Sequence, residues 1–346
     1  MMLLKTLPLL QSEFDNHVCC IRGHGPIGAR LEAAGVPVSY LELRSPFDFG
    51  VILRFRKIVR EFQPEILVTY LIHADLFGRI FGRLFGIRKI ICSQRGKLLQ
   101  WEFLRILDRW TASLVTKYIV QTEVAKKELS KVLRVSTKKF QVIPNAIDLT
   151  EFDFYLDEKQ KKTTLDIPDN HTVITCVSNL RRGKGHEYLL QAFERIFQTH
   201  RDLTLLIVGN GERMNELIDL VSSYASKENI KFLGNRTDVK DILRISDIFV
   251  LPTLGEGMSN AIMEAMASGI PIVTTDIPEN RELIENNVSG VLVFPKDSEN
   301  LAITLKTMAN DPLLRKRLGV AARRVLEEKF SLPIITEKLS GLFHAL

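Results

Sequence analysis

Short apolar, β-branched runs recur between longer amphipathic stretches along this chain, and the alternation happens twice over in tandem. Such runs read as buried strands and the stretches between them as helices, and strand–helix–strand repeats imply parallel sheets. In the first half strands are predicted at residues 17–21, 36–43, 65–71, 89–93, 117–122 and 140–144. In the second half they are predicted at 172–178, 203–208, 230–233, 248–251, 271–275 and 291–294. Helices are predicted between them, among others over 47–62, 74–85, 184–198 and 259–267. A chain of 346 residues has room for two such domains. The polar stretch 148–170 reads as the connection between them. This gives domains over 1–147 and 148–330, and a final amphipathic helix, 331–346, free to pack back on the first domain.

Charge is divided unevenly. Residues 1–147 carry 23 Lys and Arg against 12 Asp and Glu, a net +11, whereas the remainder carries a net −5. Only the first half is therefore expected to meet an anionic surface. Within it, residues 47–62 and 74–89 set Arg54, Lys57, Arg79 and Arg83 among phenylalanines, a composition suited to anionic lipid. Gly78, Gly82 and Gly86 recur every four residues there, which also suits close packing on a sheet.

The opening MMLLKTLPLLQ is interrupted by Lys5 and Pro8, and no apolar run approaches the roughly 20 residues that span a bilayer. The chain is expected to be cytoplasmic, or peripheral on the cytosolic face of a membrane. Cys19, Cys20, Cys92 and Cys176 form no C-x-x-C pair and lie in apolar runs, so they read as buried thiols of a reducing compartment.

Four strand-to-helix loops of the second half carry the chemistry. The strongest is Leu251–Pro271, LPTLGEGMSNAIMEAMASGIP, where a Gly-containing loop opens a helix near Ser259. Backbone N–H groups at such a helix start suit a diphosphate. Glu256 and Glu264 flank it with seven residues between them, and carboxylates accept hydrogen bonds from paired sugar hydroxyls. In VSNLRRGKGH, Arg181, Arg182 and Lys184 bring cations to a strand's carboxyl end, where open α/β sheets bind ligands. In LIVGNGER, Gly209 and Gly211 permit close backbone approach, without a full dinucleotide or P-loop pattern. FLGNRTD is a fourth turn at a strand end.

In this order the four segments resemble the C-terminal domain of the retaining glycosyltransferases of family 4, the glycosyl transferases group 1. Their fold is GT-B, two Rossmann-like parallel-sheet domains facing across a cleft. The Glu256–Glu264 segment is that family's most specific mark, and PNAID at 144–148 resembles its interdomain hinge. The resemblance implies that Lys184 and Arg181 neutralise a donor diphosphate, with Arg182 the alternative second cation. Many members have Arg where this chain has Asn179. It also implies that Glu264 holds the ribose hydroxyls and Glu256 those of the donor sugar. The backbone at Gly257, Met258, Ser259, Asn260 and Ala261 would cradle sugar and phosphates, with Gly234 and Arg236 near the base. No metal or other cofactor is implied.

The first half fits the family's acceptor domain through RGHGPIGARLEAAGVPV, LIHADLFGRIFGRLFG and ICSQRG. His73 and Arg95 close predicted strands there and are candidates to face the acceptor. Members of the family normally begin with an apolar strand and a Gly-rich loop ahead of the helix that LLKTLPLL resembles. Roughly fifteen residues, a strand and a turn, are therefore expected to be missing.

The expected activity is transfer of a sugar, with retention, from a nucleotide-sugar, in the first place a UDP-sugar, to a glycan or lipid-linked acceptor in cell-surface polysaccharide or lipopolysaccharide synthesis. A sugar-nucleotide epimerase of the same fold and a non-catalytic nucleotide-sugar-binding remnant are the alternatives. No nucleic-acid partner is expected.

Overall fold

The computed structural model describes residues 2–45, 48–94 and 102–346. By its internal packing the chain divides into two compact units, Met1–Ala146 with Leu332–Leu346, and Ile147–Ser331. All strand pairings are parallel.

The first unit holds β1 (Val18–Cys20), β2 (Val38–Tyr40), β3 (Ile66–Tyr70), β4 (Lys89–Ser93), β5 (Lys117–Val120) and β6 (Phe140–Val142). β1 and β2 pair with each other, and β3-β4-β5-β6 form a second sheet. Alternate residues of that sheet serve two cores. Ile91, Ile119 and Ile143 meet Met2 and Leu10 of the first helix and Ile335, Leu339 and Leu342 of the helix Leu332–His344. Ile90, Cys92, Tyr118 and Val120 face the other way, toward the helices that link the strands. This is the two-sided burial that makes parallel strands read as continuous apolar runs.

Three of the linking helices pack side by side. Val51, Phe55 and Val59 of the helix Gly50–Phe62 cluster with Phe77, Phe81 and Phe85. These phenylalanines belong to a helix that starts as Ile72–Phe77 and widens to a π-turn over Gly78–Gly82. Gly78 and Gly82 sit against β3. A Cβ on either would overlap the Thr69 or Leu67 side chain, so these two glycines serve sheet packing.

Arg79 follows Gly78 into the interior and is fully buried. Its guanidinium pairs with Asp108 of the helix Glu102–Thr111, also reaching the Asp108 carbonyl at 3.1 Å, Thr111 Oγ1 at 3.2 Å and Cys92 Sγ at 3.1 Å. Arg54 is likewise turned inward, donating to the Leu41 carbonyl at 2.6 Å and to Asp48 at 2.6 Å. Neither is the lipid-facing cation that the sequence suggests. A helix with mixed apolar and basic positions does not reveal which cation finds a buried carboxylate. Cys92 and Cys176 are buried, whereas Cys19 and Cys20 on β1 are only half-buried; all four are free thiols.

The second unit holds β7 (Thr172–Val177), β8 (Leu203–Val208), β9 (Ile230–Gly234), β10 (Ile248–Leu251), β11 (Ile272–Thr275) and β12 (Val291–Val293) in the order β12-β11-β10-β7-β8-β9. The chain runs outward from β7 through β8 to β9, then returns to the other side of β7 and runs outward again. The order therefore reverses between β7 and β10. The stretch 148–170 is no free linker. It contains the helix Glu158–Thr164, and Leu165 and Ile167 are buried beside Val173, Ile242 and Ile245. Lys161 ties it down, donating to Asp238 at 2.6 Å and Asp241 at 3.0 Å. Its many charges look solvated in the sequence because their partners lie far along the chain.

Breaking a buried pair on one side leaves an uncompensated charge and costs about 3–5 kcal/mol. Arg79→Met and Asp108→Leu should each lower the first unit's unfolding free energy by that order, seen as a lower urea midpoint. The double replacement should lose less than either single one, as read by denaturation with matched m-values.

Candidate donor-binding site

In an open parallel sheet, the loops on the two sides of a reversal in strand order diverge and leave a crevice at the carboxyl ends of the strands. Here the loops after β7 and β10 flank that point, and the loops after β8 and β9 border it. A pocket of about 560 Å³ lies there, lined from all four loops. That is within the usual range for small-molecule sites.

Glycines let these loops interlock. Gly185 has φ +73°, and a Cβ on it would overlap the Pro252 carbonyl oxygen. The Gly183 carbonyl accepts from Leu254 N–H at 2.8 Å and from Thr253 Oγ1 at 3.2 Å. Gly209, at φ +132°, lies equally close to the Ser178 carbonyl, and Leu180 N–H donates to the Asn210 carbonyl at 3.0 Å. The close approach read from the Gly209 segment is thus met first by the chain's own backbone.

The helix Asn260–Ala267 points its amino end into the pocket. Ser259 caps it, its Oγ accepting from Ile262 N–H at 3.4 Å. Met258, Ser259, Asn260, Ala261 and Glu264 all line the cavity. Lys184 lines it as well and is buried, its ammonium bonded to Glu256 across the switch point. Two of the sequence-predicted donor ligands therefore hold each other. The pair gives each of these side chains a partner in a place where a charge without one is disfavoured.

The remaining predicted residues are distributed as follows. Gly209 and Arg236 line the pocket; Arg236 is braced by a bidentate pair with Asp238 at 2.7 and 2.6 Å. Arg181 and Arg182 are exposed, and Gly257 is exposed at the loop tip; with Gly234 they lie outside the lining set. His73 belongs to the first unit, exposed on the helix Ile72–Phe77. Arg95 lies outside the described residues.

Other lining residues lie in or beside the flagged loops but were given no role from the sequence. Ser178, Asn179 and Asn235 are small polar side chains at strand ends, and Val177, Val208, Val239 and Leu251 are apolar ones. Arg213 was hidden in the same way. It is buried and holds Glu187 at 2.7 Å and Glu216 at 2.6 Å, bracing the start of the helix His186–Phe197.

Residues 157–325 match the family Glycosyl transferases group 1, and residues 9–151 match Glycosyltransferase Family 4. The chain belongs to these glycosyltransferases. It is 29% identical to the UDP-Gal:alpha-D-GlcNAc-diphosphoundecaprenol alpha-1,3-galactosyltransferase of Escherichia coli, over 98% of this chain and 92% of that protein. It is 24% identical to the N-acetylgalactosamine-N,N'-diacetylbacillosaminyl-diphospho-undecaprenol 4-alpha-N-acetylgalactosaminyltransferase of Campylobacter jejuni, over 90% of this chain and 86% of that protein. Among solved structures it is similar to Anabaena HepE in complex with UDP, with a TM-score of 0.86 at 19% identity, covering 99% of this chain and 95% of that one. The fold of this glycosyltransferase is GT-B, with two Rossmann-like units.

One group beside the pocket titrates where it is easily measured. Burial pushes the His186 imidazole down to about 4, with the neighbouring Arg213 and Lys184 cations acting in the same direction and Glu187 against it. Its Nε2 meets Ser178 Oγ at 2.8 Å. Between about pH 6.5, the unfolded value, and about 4 the unfolded chain binds more protons than the folded one. The stability owed to a neutral His186 is complete above that window and is lost as pH falls through it. The thermal midpoint of the second unit should therefore drop as pH falls through this window, and His186→Gln should flatten that part of the profile.

Proposed function

We propose that this glycosyltransferase moves a hexose from a UDP-sugar, with retention and without a metal ion, to a hydroxyl of a lipid-linked glycan in the synthesis of cell-surface polysaccharide or lipopolysaccharide. The observation that carries the reading is the convergence of buried Lys184, the amino end of the helix Asn260–Ala267, Glu256 and Glu264 on one pocket at the switch point. The Escherichia coli and Campylobacter jejuni relatives, whose names specify undecaprenol-diphosphate-linked acceptors, support the acceptor class.

In this reading the donor's diphosphate takes the Lys184 ammonium from Glu256. Glu256 is released to accept hydrogen bonds from the sugar, and Glu264 accepts from the ribose hydroxyls. The bond from the sugar's anomeric carbon to the diphosphate oxygen breaks, and its electron pair leaves as negative charge on the diphosphate. Lys184 and the N–H groups at the helix start stabilise that charge as it grows. An acceptor hydroxyl forms the new bond on the same face and gives its proton to the departing diphosphate oxygen.

Losing a hydrogen bond to a charged group costs roughly 1.5–3 kcal/mol, about ten- to more than a hundred-fold in affinity. Glu264→Ala and Lys184→Ala should weaken UDP binding in calorimetry by that order and abolish detectable transfer, while circular dichroism stays unchanged. Wild-type turnover in either variant would remove the assignment. Transfer should persist in EDTA, and a strict need for added magnesium or manganese would count against the cationic mechanism. The product's anomeric configuration, read by nuclear magnetic resonance, tests retention.

A further inference from the structure

Five large apolar side chains stand in solvent on the three side-by-side helices of the first unit: Leu53 (66% exposed), Ile80 (44%), Leu84 (70%), Ile106 (50%) and Trp110 (77%). Helix geometry gathers them on outward faces. On the helix Gly50–Phe62, Val51, Phe55 and Val59 point inward and Leu53 outward. Ile80 and Leu84 are four residues apart, on the side away from buried Gly78 and Gly82. Ile106 and Trp110 are also four apart. Each lies two residues from buried Asp108, about 200° around the helix, and so faces away from the sheet. All three helices cover the same face of β3-β4-β5, linked by the phenylalanine cluster and the Arg79–Asp108 pair.

A water-soluble helix layer gains nothing from five exposed apolar side chains on one outer face, and such a grouping marks a place of contact. In the second unit no helix carries an exposed large apolar pair at this spacing.

The exposed charges around these side chains are mostly cationic. Arg56, Lys57, Arg60 and Arg83 are exposed on the same two helices. Of the described carboxylates on the three helices, Asp75 and Asp108 are buried and Glu61 is shared with Lys57 at 3.8 Å. No helix among the described residues is long and apolar enough to cross a membrane.

We propose that the outer face of these three helices docks on an anionic bilayer. The five apolar side chains enter the boundary between headgroups and acyl chains, and the four cations lie among the lipid phosphates. Trp110 suits the boundary because its ring is apolar and its N–H can remain in the polar layer. A lipid-linked acceptor, as read in the preceding subsection, would give the surface its purpose, since docking there holds the enzyme at the membrane that carries its substrate.

The test uses vesicles of equal parts phosphatidylcholine and phosphatidylglycerol, with pure phosphatidylcholine as the neutral control. The chain has two tryptophans, so Trp101→Phe leaves Trp110 as the single reporter. At low salt the protein should pellet with the anionic vesicles and much less with the neutral ones, and Trp110 emission should move to shorter wavelength. The pair Leu84→Glu and Ile106→Glu should lower partitioning at least about ten-fold, as expected for two apolar side chains lost from the boundary. Arg56→Gln, Lys57→Gln and Arg60→Gln, which leave the apolar side chains untouched, should each weaken it about five-fold. UDP titration without vesicles should be unchanged in every variant.

No pelleting at low salt, or pelleting with unshifted Trp110 emission and no effect of the glutamates, overturns the proposal. So does a blue shift in lipid-free solution accompanied by a doubled mass, which would make a second copy the occupant. A protein that binds UDP but not vesicles loses the docking face alone. One that binds vesicles but not UDP loses the donor reading alone.

Discussion

At the switch point of the second sheet the loop after β7 touches the loop after β10, backbone against backbone, and Gly185 is the residue that permits it. At φ +73° and against Pro252, no side chain fits. This contact sets how far Lys184, one residue before, stands from Glu256, four residues beyond Pro252. The loop after β8 is fixed to the same frame through Gly209 and Ser178. The pocket is thus a product of backbone packing, with side chains added at positions that the packing has already determined. A ligand need not order these loops, and that reduces the entropic cost of binding.

Much of this is legible in the sequence, for identifiable reasons. All twelve strands form where the apolar runs predict them, differing only at their ends. A parallel strand buried on both faces is nearly all apolar, and few other local patterns imitate it. The pocket's acidic and helical part was legible because Glu256, Ser259 and Glu264 sit on one continuous loop and helix, where spacing translates directly into geometry. What stayed hidden depends on partners distant in sequence. A basic loop does not announce which of Arg181, Arg182 and Lys184 turns inward, since that follows from Glu256, on the far side of the switch point. The helix Glu158–Thr164 looked like a linker until Asp238 and Asp241 accounted for Lys161. Arg79 looked like a surface cation until Asp108 did the same for it.

The two units use charge differently. The second places two of its ion pairs, Lys184–Glu256 and Arg236–Asp238, at a pocket, where a ligand can exchange for one member of a pair. In the first, Arg79 is held internally through its Nε and Nη1 by atoms from Cys92, Asp108 and Thr111, and the surplus cations lie outside on the helices. Such a buried cation couples the helix Ile72–Phe77 and its π-turn extension to the helix Glu102–Thr111 directly. Perturbing either helix is then felt by the other.

The helix Leu332–His344 also bears on how the protein is made. It completes the first unit by supplying Ile335, Leu339 and Leu342 to a core shared with Met2 and Leu10, and Phe14 meets Phe343 at 5.5 Å. The second unit is one uninterrupted stretch between the two pieces of the first. During synthesis the second unit can close as soon as Ser331 is clear of the ribosome. The unit translated first must wait, one face of its sheet covered only in part by Met2 and Leu10, until the last helix emerges. The usual order in which amino-terminal domains finish folding first is reversed. A nascent chain stalled before residue 332 would carry a finished second unit and a first unit whose Ile91, Ile119 and Ile143 lack the cover of Ile335, Leu339 and Leu342, which makes that interval the vulnerable one for chaperone capture or aggregation.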